Sequence, residues 1–226
     1  MTSSSGPAAP RLYIVLAFAA VYLIWGSTYL GIWYAIKTIP PFLMAGVRFI
    51  LAGGILYAWA RGRGAAAPTR AHWRATLGVG ALLLLVGNGG VTWAEQFVPS
   101  GLAALLVATV PLWMTLLDGL RPGGTRPSAW VWGGIAMGLA GIALLVGPEQ
   151  LMGGGRVDPL GATALALAAL AWAVGSLYAR GATLPASPLL TTGMEMLCGG
   201  VLLLLVEVGR AHVGTPVTRY ISYALF

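Results

Sequence analysis

The chain is poor in charged residues, which make up only 8% of its 226 positions, whereas an average soluble domain has about 25%. Hydrophobic residues make up 58%, and the mean hydropathy is +0.83. This composition excludes an ordinary soluble domain and indicates an integral membrane protein. The apolar residues form long unbroken runs, unlike the short alternating segments of a membrane β-barrel. We therefore expect an all-α, polytopic fold in a lipid bilayer.

Cysteine and histidine are also scarce. Cys198 is the single cysteine, so the chain can form no internal disulfide and no cysteine cluster for a metal. The two histidines, His72 and His212, fall in predicted loops, and no Gly-x-Ser-x-Gly motif is present. An intramembrane hydrolase needs a base close to its nucleophile inside the membrane. We therefore predict that the protein is not an enzyme and carries no cofactor.

Acidic residues are fewer than basic ones, which gives a net charge of +7. A basic chain can bind nucleic acid, but here the arginines lie mostly in short loops between apolar runs, a pattern typical of membrane orientation. Eight arginines fall on one side of the predicted spans, and four basic residues fall on the other side. We therefore predict a cytoplasmic N-terminus and no nucleic-acid partner.

Seven apolar runs approach the roughly 20 residues that a helix needs to cross a bilayer. Residues 1–10 are small and polar and are predicted to be a disordered cytoplasmic tail. The run after Arg11 is longer than the ~7–15 apolar residues of a signal peptide, and no clear cleavage site follows it. We predict spans at residues 12–36, 42–60, 77–97, 101–120, 129–147, 160–179 and 189–208.

Only Val98, Pro99 and Ser100 join the third and fourth spans. This predicts a tight antiparallel hairpin, with Ser100 as the N-cap of the fourth span. Pro111 inside that span removes the hydrogen bond to the carbonyl group of Val107 and is predicted to kink the helix.

In the fifth span, Gly134, Gly138 and Gly141 have the spacing that lets two helices approach closely. Because the chain contains 33 glycines, this spacing has a second interpretation, namely that glycine is simply common.

The chain repeats itself weakly. The sequence GSTY at residues 26–29 returns as GSLY at residues 175–178, and the dipeptide Thr69-Arg70 returns at 218–219, both at an offset of 149. The pattern of Pro41, Gly46 and Gly53 returns at residues 188, 193 and 200, at an offset of 147. Five spans per repeat is an odd number, so the second repeat enters the membrane from the opposite side. Such inverted repeats are common in secondary transporters, with the substrate site near the midplane.

The repeat also predicts the domain organisation. Residues 11–147 form a first five-helix repeat, and residues 160–226 form an incomplete second repeat that holds helices 6 and 7 and the start of helix 8. Phe226 corresponds to Leu77, the first residue of the third span. We therefore expect a C-terminally truncated chain that lacks about 70 residues of a complete inverted pair.

Several motifs together resemble the EamA-type drug/metabolite transporter family. They are IWGSTY at 24–29, PPFLMAGVRF at 40–49, GNGGVTWAE at 87–95, VPSGLAA at 98–104, TVPL at 109–112 and GLAGI at 138–142. The resemblance is closest to inner-membrane permeases described as drug/metabolite exporters. It implies ten helices in two inverted five-helix repeats, with both termini in the cytoplasm.

The same resemblance implies a secondary transporter that exports small polar or amphipathic metabolites or drugs across the cytoplasmic membrane. The kinked fourth span and the inverted repeat favour alternating access over a channel. The alternative is an inactive, truncated remnant of such a transporter, because the last three helices are lacking. A homodimer is compatible with the sequence, although no motif indicates one.

Ionisable residues inside spans are expected to face a cavity, a partner or the bundle interior. Arg48 lies about 9 Å deep in the second span, and Glu195 lies equally deep in the seventh span from the other side. We predict that they flank a central site and offer one charge of each sign to a polar or zwitterionic metabolite. The alternative is that each is structural and is satisfied by its neighbours.

Glu95, near the outer end of the third span, is predicted either to reach water or to act as a gate or proton carrier, with protons as a candidate coupling ion. Deep polar and aromatic residues complete the predicted substrate pathway. They are Trp25, Ser27, Tyr29, Asn88, Trp93, Trp172, Ser176 and Tyr178. Aromatic residues near span ends are more typical of interfacial belts, and serines inside helices can simply bond to backbone carbonyl groups. We assign Trp33, Trp59, Trp73 and Trp130 to such a belt.

Overall fold

The computed structural model describes residues 11–121, 123–124, 126–146 and 158–214. These residues form seven helices, one for each predicted span. They are α1 (Arg11–Ala35), α2 (Pro41–Gly62), α3 (Arg70–Ala94), α4 (Ser100–Leu120), α5 (Ala129–Val146), α6 (Pro159–Gly181) and α7 (Pro188–Gly214).

The predicted polytopic helical fold is confirmed. Six of these helices, all except α5, are long and apolar enough to cross a membrane, and α5 contains a shorter apolar helix over Ala129–Gly141. The predicted N-terminal tail, the loop before α6 and the start of an eighth helix lie outside the described residues.

Helix α3 begins at Arg70, well before the predicted start of the third span at Leu77. The Thr69 hydroxyl accepts a hydrogen bond from the backbone N–H of His72 (3.3 Å), and Nδ1 of His72 accepts one from the backbone N–H of Thr69 (3.2 Å). This reciprocal cap starts the helix with a polar turn, which a search for apolar runs misses. The prediction that His72 lies in a loop is therefore wrong, and Arg70 and Arg74, which precede the predicted third span, are helical as well.

The join between α3 and α4 is tight, as predicted, but its cap differs. Pro99 occupies the N-cap position in an extended conformation (φ −56°, ψ 142°), and Ser100 is the first helical residue. No side chain caps this end of α4, so the prediction of Ser100 as the N-cap is wrong. A proline can take this place because the first helical N–H groups need no partner inside the helix.

Helix α4 is interrupted in its middle. Regular helix ends at Val107 and resumes at Val110, with Pro111 in the first turn of the second half. Between the two halves, the Thr109 hydroxyl donates a hydrogen bond to the carbonyl oxygen of Leu106 (2.6 Å). The predicted distortion at Pro111 is confirmed.

The most extensive helix pair is α2 with α7. Glycines allow the two backbones to touch: a Cβ added at Gly53 would lie 2.9 Å from the carbonyl oxygen of Gly193, and one added at Gly200 would lie 3.0 Å from that of Gly46. Small residues at helix crossings serve this purpose in membranes, where lipid exposure removes the hydrophobic drive for association.

Helix α6 packs between α3 and α4. The Asp158 carboxylate caps its start by accepting hydrogen bonds from the backbone N–H groups of Leu160 (2.8 Å) and Gly161 (2.9 Å). The core of this layer is a cluster of buried apolar residues. They are Val91, Ala94, Val98, Leu102, Ala103, Leu165 and Ala168.

Helices α1 and α5 are the most exposed parts of the described chain. Ile32 is the one buried residue of α1, and Trp130, Met137 and Leu144 of α5 are exposed. No heavy atom of the described residues lies within 4 Å of a Cβ added at Gly134, Gly138 or Gly141. The glycine spacing of α5 therefore mediates no close helix contact within the described part of the chain.

Candidate functional site

A cavity of about 510 Å³ opens between α1, α2, α3, α4 and α6, with Met196 contributed by α7. Its volume falls within the roughly 300–1,000 Å³ that is typical of small-molecule sites. Five predicted pathway residues line it. They are Trp25 and Tyr29 from α1, Arg48 from α2, Asn88 from α3 and Trp172 from α6.

The remaining lining residues were not predicted from the sequence. They are Ile24, Thr28, Ile32, Phe49, Gly87, Val91, Val107, Val110, Ala168, Ala169 and Met196. Most are apolar side chains in apolar helices, and nothing in the sequence distinguishes an apolar residue that faces a cavity from one that faces lipid. Val107 and Val110 flank the interruption of α4, so the predicted kink was the one available signal for them.

Arg48 supplies the positive charge of this site. Its side chain is half-buried, and its guanidinium carbon lies 4.7 Å from the centroid of the neighbouring Phe49 ring. Among the described residues, Arg48 has neither an ion-pair partner nor a hydrogen-bond acceptor. The guanidinium therefore keeps its donor groups available to a molecule in the cavity.

Trp25 and Trp172 contact each other across the cavity. Their ring centroids are 5.9 Å apart and their planes are perpendicular, in an edge-to-face arrangement, which is a favoured geometry for aromatic pairs. Trp172 sits directly on Gly87, where an added Cβ would collide with the indole ring. Gly87 thus provides the space for Trp172 to reach the cavity.

Part of α3 is wound as a π-helix, from Ala81 to Asn88. Within this segment, the carbonyl oxygen of Leu83 accepts a hydrogen bond from Nε1 of Trp172 (2.5 Å) and a longer one from Nδ2 of Asn88 (3.4 Å). Single π-turns often occur at functional sites. The sequence did not predict this segment, and the deep Trp172, whose N–H needs an acceptor, was the only hint of it.

The two acidic candidates lie outside the cavity. Glu195 is not among the residues that line the cavity, and its backbone carbonyl oxygen would lie 2.7 Å from a Cβ added at Gly80 in α3. Glu95 lies in the turn after α3 and is only 3% exposed, and neither of its carboxyl oxygens has a hydrogen-bond partner among the described residues. The structure therefore does not bring Arg48 and Glu195 to one cavity.

The four other candidates also lie outside the cavity lining. The Ser27 hydroxyl donates to the carbonyl oxygen of Ile24 (3.0 Å). Trp93 contacts Phe97, with ring centroids 5.0 Å apart. Ser176 is half-buried on α6, and Tyr178 is exposed near the end of the same helix.

A second, smaller group of charges connects α4 and α6. The Asp118 carboxylate lies 3.8 Å from the guanidinium groups of both Arg121 and Arg180. Both arginines are about half exposed, so each ion pair contributes little to stability. Over the described ranges, no group of three or more His, Cys, Asp or Glu residues could hold a metal ion.

Residues 12–147 match the model of the EamA-like transporter family. The chain is 45% identical over 193 residues to YedA of Escherichia coli strain K12, which is named an inner membrane transporter, and the match covers 84% of this chain and 60% of YedA. It is 27% identical over 171 residues to the transporter YoaV of Bacillus subtilis strain 168, covering 74% of this chain and 57% of YoaV.

The chain spans about 60% of the length of these curated relatives. A protein crystal structure also has a similar fold, with a TM-score of 0.59 over 87% of this chain and 64% of the other, at 24% identity. At that identity the likeness concerns the fold alone. The family match and the six helices able to span a membrane agree with a multi-pass membrane protein, and the chain belongs to the EamA-like transporter family.

Proposed function

We propose that the protein is a secondary transporter that exports small polar or amphipathic metabolites or drugs across the cytoplasmic membrane by alternating access. The observation that carries this proposal is the cavity, which lies between α1–α4 and α6. It combines one unpaired cation, one amide, the hydroxyl groups of Thr28 and Tyr29 and two contacting indole rings inside mostly apolar walls. A few placed polar groups in an apolar pocket are typical of small-molecule sites.

The architecture proposed for this activity is the inverted repeat, with residues 11–147 as one half and residues 160–226 as part of the other. In such transporters the substrate site lies at the interface of the halves. The cavity fits this expectation, because Trp25 and Arg48 come from the first half and Trp172 comes from the second. The N-terminus is proposed to be cytoplasmic, on the distribution of arginines.

Protons remain the proposed coupling ion. The support is Glu95, a buried carboxyl group without a hydrogen-bond partner among the described residues. A carboxyl group in that setting gains or loses a proton with a large change in its solvation energy. Export that is insensitive to a collapsed proton gradient would remove this part of the proposal.

The export test compares metabolites in the medium of bacterial cells that express the wild-type chain or single variants, measured by untargeted mass spectrometry. We expect at least one metabolite to accumulate outside wild-type cells, and Arg48→Ala to abolish its accumulation. Glu195→Gln tests whether the second charged residue also contributes. Arg74→Ala, on the exposed start of α3, is the matched control and should export normally. Export by Arg48→Ala at the wild-type rate, with equal membrane levels, would contradict the proposal.

Alternating access is tested by cysteine labelling, because Cys198 is the only cysteine. In a Cys198→Ala background, Thr28→Cys places a thiol in the cavity lining, and Met137→Cys places one on the exposed face of α5. A membrane-impermeant maleimide should label the thiol at position 28 from either side of the membrane, in intact cells and in inverted vesicles. The thiol at position 137 should remain unlabelled because it faces lipid. Labelling of position 28 from one side only would contradict alternating access.

A further inference from the structure

The charge inside the cavity is not balanced. Among the lining residues that the structure describes, Arg48 is the only one charged at neutral pH. Glu195, which the sequence paired with it, does not line the cavity. A half-buried cation without a counter-ion is energetically unfavourable, and the Arg48 guanidinium donates no hydrogen bond to any of the described residues.

The rest of the lining is suited to a flat apolar group. Trp25 and Trp172 meet edge to face, at a centroid distance of 5.9 Å, and Ile24, Val91 and Ala169 extend the apolar wall. The hydroxyl of Thr28 donates a hydrogen bond to the carbonyl oxygen of Ile24 (2.9 Å). The cavity thus offers one cationic end and one aromatic wall.

We propose that the cavity selects amphipathic organic anions, with a carboxylate on the Arg48 guanidinium and a flat apolar body against Trp25 and Trp172. The planar fork of an arginine matches a carboxylate with two parallel hydrogen bonds. A neutral ligand leaves Arg48 unpaired, and a cationic ligand adds repulsion to that loss. This inference rests on the proposed function, because it takes the cavity as the substrate site.

Three ligands that share one indole ring test the sign of the charge: indole-3-acetate is an anion, indole-3-acetamide is neutral and tryptamine is a cation. Their binding to the purified full chain in detergent is measured by equilibrium dialysis. We expect the acetate to bind at least about tenfold more tightly than the amide, because a charge-assisted hydrogen bond typically adds that much affinity. Tryptamine should bind most weakly.

Arg48→Gln should reduce the affinity for the acetate to that for the amide, and Arg48→Lys should retain part of the preference. Arg74→Gln removes an exposed arginine from α3 and should leave all three affinities unchanged. Equal binding of acetate and amide to the wild-type chain would overturn the inference, and so would a preference for acetate that persists in Arg48→Gln.

A labelling control separates this inference from the proposed function. In the Cys198→Ala, Thr28→Cys protein, N-ethylmaleimide added after folding occupies the cavity and should abolish binding of the acetate. If all three ligands bind equally and labelling blocks them, the cavity is the substrate site and the charge inference is wrong. If no ligand binds, the charge inference is wrong, and the proposed function is decided by the export test. If labelling leaves binding unchanged, the ligands bind outside the cavity and both proposals fail.

Discussion

Gly53 and Gly193 face each other across the crossing of α2 and α7. A Cβ on Gly53 would lie 2.9 Å from the carbonyl oxygen of Gly193, and a Cβ on Gly193 would lie 3.0 Å from that of Gly53. The second contact of the crossing joins Gly46 to Gly200, with the corresponding distances at 3.1 and 3.0 Å. The repeat offset of 147 carries one contact onto the other with the helices exchanged.

That exchange is what a two-fold axis through the crossing of two antiparallel helices produces. This exchange supports the proposed inverted repeat, whose axis lies in the membrane plane. Trp25 and Trp172, whose rings contact each other in the cavity, come from α1 and α6, the corresponding first helices of the two proposed halves.

Gly53→Ala should destabilise the protein. The added methyl group has no room beside the Gly193 backbone, and such overpacking costs typically about 1–3 kcal/mol. We expect a fall of several degrees in the midpoint of thermal unfolding in detergent. Gly54→Ala is the matched control, because no atom of the described residues lies within 4 Å of a Cβ there, and alanine is the better helix former.

The reciprocal variant Gly193→Ala should behave like Gly53→Ala. Because either methyl group alone separates the two helices, the double variant should lose less stability than the sum of the single variants. Equal stability of Gly53→Ala and Gly54→Ala would show that the backbones of α2 and α7 lie farther apart at this crossing than the structure places them.

Trp172→Phe should also lower stability, by about 1–2 kcal/mol, because it removes the indole N–H that donates to the carbonyl oxygen of Leu83. The phenyl ring keeps most of the apolar contact with Gly87. Trp130→Phe is the control at a position that is 91% exposed, and it should leave the unfolding midpoint unchanged. If the two variants unfold at the same temperature, the hydrogen bond to the π-helical segment contributes nothing to stability.

The sequence predicted the positions of the helices better than the direction in which their residues face. Helix position follows from the apolar runs, so Arg48 and Asn88 lie within α2 and α3, as predicted. Direction depends on the rotation of each helix, which packing decides. The structure accordingly separates Arg48 from Glu195, although the sequence places them equally deep.

Two local features of α3 explain further differences. Its first turn, around His72, is polar and helical because of its cap, so hydrophobicity alone placed the helix start too late. The π-helical segment Ala81–Asn88 inserts wider turns, which rotate all later residues relative to an ideal helix. The faces of Trp93 and Glu95 were therefore not readable from a period of 3.6 residues.

Glu95→Met should stabilise the protein. A buried polar group without a hydrogen bond costs about 1–3 kcal/mol in proteins, and methionine fills a similar volume without polar oxygens. Glu207→Met is a useful contrast, because one oxygen of the Glu207 carboxylate, Oε1, accepts a hydrogen bond from Arg210 (2.8 Å) whereas Oε2 has no partner among the described residues. Loss of the ion pair with Arg210 should make the gain in stability smaller than for Glu95→Met. Thermal unfolding of both variants is the measurement.

Export by Glu95→Met is measured in the same preparation. We expect export by Glu95→Met to fall. A buried polar group that lowers stability is typically retained at positions that function requires. Unchanged export together with higher stability would assign Glu95 no role in transport.

Pro111→Ala should repair the interruption of α4. The alanine N–H restores the hydrogen bond that proline lacks, so the helix can continue from Val107 through Val110. We expect higher thermal stability together with a loss of ligand binding, because both valines line the cavity from opposite sides of the break.

Pro159→Ala is the matched control. Pro159 occupies the first turn of α6, where its missing N–H costs the helix no hydrogen bond. Its stability and binding should match the wild type. A Pro111→Ala protein that is more stable and still binds indole-3-acetate as the wild type does would show that the cavity does not depend on the break in α4.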